Sequence, residues 1–517
     1  MSIEIREGAE APKPKYTPSL EEVRKLLETG ITIPIYKTLS AAFETPISAY
    51  LKLTQGDENI AWSPSCILES VEGGIRLGRY SMIISNPKRI IEVSSRGGWT
   101  ETEGSRSISY QEGVLADPLE IIASYLPKKI AKVPGLPPFH SGFVGYLGYE
   151  NINRWEKTVP VHEDTMGIPD AVLFQVGTMI VFDNVLRQMK VVDHIAVEDP
   201  SNIDSDYQAA VERIEKITKQ LKKPLDPNRR YTRYEKLSRY ESDSNFTPEE
   251  YKETIERARQ KIIQGDILQV VLSQRFKRRT DVSPFEIYKK LWETNPSPFL
   301  FYMDFGKFQL VGASPELLVR VENGEVTTWP IAGTRPRGKT SEEDKILAEE
   351  LIKDEKERAE HIMLVDLGRN DIGKISEVGT VSVPRFMEIE FFSTVMHITS
   401  EVRGKLRKGL TSLDAIRSCF PAGTVSGAPK IRAMQLIHEF EPERRGPYAG
   451  AVGIISDFNN AELAITIRTA LVKDGIVYNQ AGGGIVYDSK PDSEYEETRN
   501  KALGGQRAVN LAEDSEG

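Results

Sequence analysis

The chain has 517 residues, 39% of them apolar and 28% charged, with a formal net charge of −9 at neutral pH. That length exceeds what one hydrophobic core usually supports, so two tightly associated regions are expected, and the ordinary apolar and charged fractions exclude a disordered chain. The acidic balance argues against a protein held to nucleic acid by clustered Lys and Arg, so no nucleic-acid partner is expected.

From the N-terminus, "MSIEIREGAEAPKPKY" is charged almost at once and carries neither the apolar core of a signal peptide nor an Arg-rich, acid-poor transit pattern. The longest apolar stretch, "AVLFQVGTMIVF", is too short and too interrupted to span a bilayer. No membrane partner is expected, and the cytoplasm is the default location. The only two cysteines, Cys66 and Cys419, lie far apart and outside any C-x-x-C spacing, so neither a disulfide framework nor a thiolate zinc site is indicated. Such low usage fits a reducing interior.

Up to residue 221 the text is strand-like and rich in turns, as in "GGIRLGRYSMIIS" and "TMIVFDNVLRQMKVVDH", with one clear helix near 207–221. Residues 222–246, charged, Pro-bearing and poor in aliphatics, read as a connector. A helix then opens with Thr247 as N-cap, Pro248 at its first position and Glu250 completing a capping box, and stops at Gly265. The predicted division is an N-terminal region over 1–235 and a second region over 245–515.

In the second region "ELLVRVENGEVTTWPIAG" alternates on both sides of Asn323-Gly324, a strong hairpin signal. Two further hairpins are predicted at Asn459-Asn460 and Asp474-Gly475. Antiparallel pairing is better supported than strand-helix-strand crossovers. The fold expected is α+β, with large antiparallel sheets packed as a sandwich and flanked by helices.

Several groupings bear on chemistry. The helical periodicity of "EEDKILAEELIKDEKERAEHIMLVDLGRND" puts Glu357 and Glu360 on one face, and "SKPDSEYEETRNKALGG" repeats that spacing with Glu494 and Glu497. Each pair alone reads as a solvated helix face; together, on facing helices, they would offer the all-oxygen environment that Mg²⁺ prefers. "QAGGGIVYD" places Gly482, Gly483 and Gly484 after a predicted strand, either as a tight turn or as backbone amides open to an anion. In "CFPAGTVSGAPKIRAM", Gly427 and Pro429 precede a helix whose N-terminus suits a carboxylate, though plain capping explains them equally.

Isolated titratable groups complete the set. His397 in "STVMHITSEV" sits in a strand, where a satisfied core histidine is the commoner role. Glu316 follows Ser-Pro at a strand start. Arg468 in "AITIRTALV" interrupts an apolar strand, a costly place for a charge unless it meets an anion.

"PIAGT", "AEHIMLVDLGRND", "FPAGTVSGAPKIRAM", "GPYAGAVG" and "AGGGIVYDSKPDSEYEETRNKA", in that order, resemble the chorismate-utilising enzymes, and most closely component I of anthranilate synthases. The likeness is dense over 247–510 and looser through "CILESVEGGIRLGRYSMI". It implies that 245–515 is the chorismate-binding catalytic region and that 1–235 carries tryptophan-regulatory elements. It also implies Mg²⁺ held directly by Glu357 and Glu494, with Glu360 and Glu497 acting through water.

The same resemblance assigns the substrate contacts. Gly482 to Gly484 and Lys501 would help the metal hold the ring carboxylate, Tyr448 and Arg468 would grip the enolpyruvyl carboxylate, and Gly333 and Thr334 would line the site. Glu316 would be the general acid toward the departing ring hydroxyl, with Thr424 and Gln269 beside it among the catalytic positions. His397 would be the later base or its orienting group. The reaction implied is amination of chorismate by ammonia, then loss of pyruvate to give anthranilate, the first committed step toward tryptophan. One departure is Gly368, where the family commonly has Ala in "LARND".

Within the family, aminodeoxychorismate producers typically carry Lys where this chain has Ala332, and isochorismate or salicylate producers carry Lys where it has Gln269. Ammonia brings its own lone pair and needs neither lysine, which points to anthranilate. Neither cysteine sits in a glutaminase nucleophile turn, so a separate glutamine amidotransferase subunit is implied as ammonia source, in a heterotetramer of two large and two small subunits. Leu68, Glu69, Ser70, Pro298 and Leu300 match positions that line a tryptophan inhibitor site.

Overall fold

A computed structural model describes residues 15–28, 31–54, 64–70, 79–111, 116–127, 129–225, 243–392, 395–457 and 459–515. Most of the expected connector, the stretch 226–242, lies outside the described residues, as do 71–78 of the "ESVEGGIRLGRY" segment.

Among the described residues two sheets dominate, one of 13 strands and one of 12. Their pairings are antiparallel except for Ile31–Ser40 against Lys129–Ile130. Side chains alternate across each strand, and the inward set of the larger sheet (Phe301, Met303, Leu310 and Leu471) meets Tyr146, Phe174, Val452 and Ile454 of the other. Helices cover the outer faces. Ile203–Leu221, Pro284–Thr294 and Pro491–Ser515 bury Ile214, Tyr288 and Val509 in one cluster with Leu300 and Val311 of the larger sheet. Glu355–Gly373 and Ser412–Cys419 place Val365, Ile372 and Ile416 against Leu318, Val321 and Val402 of the smaller one. The predicted α+β sandwich with flanking helices is therefore the fold.

Both sheets are built from both halves of the chain. Leu300 pairs with Glu69 in one and Val452 with Tyr146 in the other. A sequence boundary near 240 thus separates stretches of chain whose strands hydrogen-bond side by side.

Local expectations hold where short-range chemistry is strong. The helix Pro248–Ile263 carries the Thr247/Glu250 capping box and is followed by Gly265 at φ +81°. The Asn323-Gly324 turn joins Leu317–Glu322 to Glu325–Thr328, and Asp474-Gly475 joins Thr469–Lys473 to Ile476–Ile485. Others are corrected. The helix near 207–221 begins at Ile203, after an Asp199-capped turn. Asn459 is left-handed at φ +59°, but Asn460 already opens the next strand, so that turn sits earlier than predicted. The acidic helical segment is two helices, Ser341–Lys353 and Glu355–Gly373. It breaks at extended Asp354, whose side chain accepts from the Lys356 and Glu357 amides.

Candidate active site

The strand Ile331–Pro336 forms an edge of the smaller sheet and pairs with Val395–Lys405. Ala332 lies opposite Ile398 and Thr334 opposite His397, so the register slips at Gly333, which adopts φ +70°. This bulge aims the Gly333 carbonyl at the His397 ring, 3.0 Å from Nδ1, with Thr334 Oγ1 also at 3.0 Å. A ring that donates from Nδ1 to that carbonyl keeps a lone pair on Nε2. Burial, assisted by the charge of Arg468, lowers the His397 pKa despite the carbonyl and Glu390, so the imidazole is neutral at pH 7.

Glu316 sits between Gln309–Ser314 and Leu317–Glu322, only 7% exposed. Burial pushes its carboxyl up to about 8. The Thr424 hydroxyl and the Ile331 amide oppose that rise. At neutral pH Glu316 therefore holds a proton that it can donate.

Gly482, Gly483 and Gly484 were predicted to follow a strand; they lie inside one, Ile476–Ile485, opposite Ser273, Leu272 and Val271. Strand Thr469–Lys473 pairs with Ile476–Ile485 only as far as Asn479, so the glycines lie beyond its reach. Added methyl groups would meet Tyr448 Oη at 2.8 Å from Gly482 and Gln269 Nε2 at 2.5 Å from Gly484, whereas at Gly483 the nearest atom, Glu494 Oε2, is 3.4 Å away. The glycines let Tyr448 and Gln269 approach one face of the backbone, with the second glutamate pair on the other.

The two glutamate pairs converge on this strand from two helices. Glu357 Oε2 faces Gly333, and Glu360 Oε1 faces Gly484 and accepts from Gln269 Nε2 at 3.4 Å. Glu494 and Glu497 come from the last helix, and Lys501 Nζ bridges Glu497 at 2.6 Å and the Gly482 carbonyl at 3.1 Å. Burial first, then the charges of Glu357 and Glu497, raise the Glu360 pKa; burial and Glu497 raise that of Glu494. Among the described residues no group of three or more His, Cys, Asp or Glu side chains is arranged to hold a metal unaided. A hard cation that takes one or two carboxylates and completes its shell with water and ligand oxygens suits this donor set; a thiolate- or imidazole-seeking one does not.

Arg468 is corrected in its setting. It does not interrupt a strand but occupies a left-handed turn, φ +51°, between Asn460–Ile465 and Thr469–Lys473. Its side chain is exposed, yet crowding by protein atoms lowers its pKa against the pull of Tyr448 and Glu497. Nη1 donates to the Lys501 carbonyl at 2.8 Å. Gly427, at φ +135°, packs against the Gln269 carbonyl, and Pro429 caps Lys430–Phe440 without a side-chain bond, which is a structural role.

Sequence reasoning passed over the supports of this site. Glu441 and Arg445 form a buried pair at 2.6 Å, with Glu441 accepting from the Ser273 amide and hydroxyl and Arg445 lying over the Tyr448 ring at 5.5 Å. Arg335 links Glu357 and Asp354. The two arginines of "TRPRG" hinted at the second; nothing local marks the first, because it depends on tertiary neighbours.

A second site is separate from the glycine strand. Leu68, Glu69, Ser70, Pro298 and Leu300 come together with Phe139, Arg320 and Glu462 around a cavity of about 270 Å³ between the sheets. Tyr288 donates to Glu69 at 2.5 Å, and burial lifts the Glu69 carboxyl to about 7.

Among the described residues no helix is long and apolar enough to cross a membrane. Residues 87–504 match the family of chorismate binding enzymes. Component 1 of anthranilate synthase from Aquifex aeolicus is 44% identical over 504 residues, 96% of this chain and 99% of that protein. The crystal structure of anthranilate synthase component I from Streptococcus pneumoniae TIGR4 superposes with a TM-score of 0.72 at 39% identity, covering 90% of this chain and 98% of that one. The menaquinone-specific isochorismate synthase of Escherichia coli shares the fold, with a TM-score of 0.68 at 19% identity over 95% of this chain and 98% of its own. A chain matched along nearly its whole length, with its glycine strand and paired glutamates assembled into one site, belongs to the chorismate binding enzyme family and, within it, to the anthranilate synthase component 1 group.

Proposed function

We propose that this protein converts chorismate and ammonia into anthranilate, pyruvate and water, as the large component of an anthranilate synthase. The choice of product rests on positions 332 and 269. Ala332 brings only a methyl group to the bulged strand beside Gly333, and Gln269 is a buried amide spent on Glu360. Neither supplies the amine that would attack the ring or activate water, so ammonia must be the nucleophile.

In this reading Tyr448 and Arg468 hold the enolpyruvyl carboxylate, and the glycine strand with Lys501 receives the ring carboxylate. Glu357 and Glu494, with Glu360 and Glu497 around them, would hold Mg²⁺, which neutralises the anionic ring carboxylate against an acidic lining. Glu316 gives its proton to the departing ring hydroxyl as ammonia bonds to the ring, and water leaves. His397 Nε2 then takes the ring proton, the ring becomes aromatic and the enolpyruvyl group departs, gaining a proton as pyruvate.

Burial pushes both the Cys66 and the Cys419 thiols up to about 12, which removes them as glutaminase nucleophiles and supports a separate amidotransferase subunit as ammonia source. The apolar, carboxylate-lined cavity between the sheets has the size and mixed lining of a tryptophan inhibitor site. Incubation with chorismate, Mg²⁺ and ammonium should give anthranilate fluorescence, with glutamine active only when an amidotransferase is added and with tryptophan suppressing the signal. Accumulation of aminodeoxychorismate or isochorismate would overturn the product assignment.

A further inference from the structure

We propose that the Tyr288 hydroxyl couples the cavity between the sheets to the glycine-strand site: it fastens the cavity wall at Glu69 to helix Pro284–Thr294, which packs on the last helix. This rests on the reading of that cavity as the tryptophan inhibitor site.

The strand Ser65–Glu69 faces two ways. Leu68 packs toward the core between the sheets, whereas Ile67 joins the core beneath the outer helices, where Tyr288 also lies. Leu68, Glu69 and Ser70 line the cavity, yet the Glu69 carboxylate reaches that helix-side core and accepts from Tyr288 Oη at 2.5 Å. Both residues are buried, Glu69 at 6% and Tyr288 at 0% exposure. Helix Pro284–Thr294 then runs through residues 295–297 into Pro298, which lines the cavity from the neighbouring strand's end. The helix is therefore joined to the cavity wall twice, once by the chain and once by the hydrogen bond.

Its other contacts lead to the glycine strand. Phe285, Tyr288 and Leu291 share a core with Ala508, Val509 and Ala512 of the last helix, and the two helices touch directly. That last helix, Pro491–Ser515, carries Glu494, Glu497 and Lys501, and Lys501 Nζ donates to the Gly482 carbonyl at 3.1 Å. Stripping the donor from so buried a carboxylate leaves it unsatisfied, which costs more than breaking an exposed bond. Close packing gives the two helices little room to move separately. A shift of the cavity wall is thus carried by Tyr288 to the first helix and by side-chain packing to the second. A hydroxyl that only satisfied Glu69 would contribute to stability and leave the response to tryptophan unchanged.

The test compares the full-length parent with Tyr288→Phe in chorismate, Mg²⁺ and ammonium. Without tryptophan, kcat/KM should stay near the parent, and calorimetry should still show tryptophan binding. The factor by which saturating tryptophan suppresses kcat/KM should fall about tenfold or more, the weight of one hydrogen bond to a charged group. In the parent alone, tryptophan should change hydrogen exchange in residues 284–294 and 491–501, a readout that needs no variant. Undiminished suppression in Tyr288→Phe, even with a lower Tm, would confine the hydroxyl to stability and overturn the coupling. Lost tryptophan binding in Tyr288→Phe would assign it to inhibitor affinity and also overturn the coupling, as would unaltered exchange in both helices of a parent that tryptophan inhibits. A parent that neither binds tryptophan nor responds to it would overturn the inhibitor reading and this inference with it.

Discussion

At the scale of single residues, the site separates two groups by environment. Burial raises Glu316 and lowers His397, so both are neutral near pH 7, one able to give a proton and the other able to take one. The rate kcat/KM should therefore be level at neutral pH, fall above about pH 8 as Glu316 ionises, and fall in acid as His397 becomes charged. Glu316→Gln should lower kcat by about 10²- to 10⁴-fold and abolish the alkaline limb. The stability sign follows from the same shift. Between its ordinary value of 4.5 and about 8, folded Glu316 keeps a proton that the unfolded chain has released, so it makes stability fall as pH rises through that window. Glu316→Gln removes that slope, about 1.4 kcal/mol per pH unit at most, and its Tm should gain on the parent from pH 5 to 8. A parallel Tm profile for both proteins would contradict the raised carboxyl.

At the scale of elements, the strand Ile476–Ile485 shows why three adjacent glycines are needed for different reasons. At Gly484 a methyl group would collide with Gln269, and Gly484→Ala should cost about 1–3 kcal/mol of stability, seen as a lower Tm. At Gly483 the neighbours are at ordinary contact distance, so Gly483→Ala should keep Tm near the parent. Its effect should fall on KM for chorismate, roughly tenfold for a loss of about 1.4 kcal/mol of contact. An unchanged KM would mean that the ligand does not approach that backbone. The break at Asp354 matters at the same scale. A single unbroken helix would have no free N-terminus there, and Asp354 could not both cap it and receive Arg335.

At the scale of the molecule, each sheet draws strands from both sides of residue 240, so neither side can complete its hydrogen bonds alone. Without residues 1–235, strand Phe299–Asp304 loses Ser65–Glu69 and strand Ala451–Ser456 loses Phe143–Leu147, exposing two long apolar edges. A fragment of residues 245–515 should be insoluble, or molten by near-ultraviolet circular dichroism. A soluble fragment with a sharp unfolding transition would refute the interdependence. The cavity lined by Glu69 and Pro298 is bordered by those same shared strands, from both sides of residue 240.

Features that depend on neighbours along the chain were legible in the sequence: the capping box at Thr247, the turns at Asn323-Gly324 and Asp474-Gly475, the strand at His397, and the Glu357/Glu360 and Glu494/Glu497 spacing. Ordered motifs resembling one family supplied the residue set of the site. Features that depend on distant segments emerge with the folded chain. Arg468 reads as a charge within a strand until the turn at φ +51° is seen, and the glycines read as a loop until their partner strand is present. Glu316 is an unremarkable carboxylate in the text, and its raised pKa comes from burial in the assembled fold, against the opposing pull of Thr424 and Ile331. Periodicity encodes which face a side chain takes; the dielectric around it and the partners that meet it are properties of the assembled sheets.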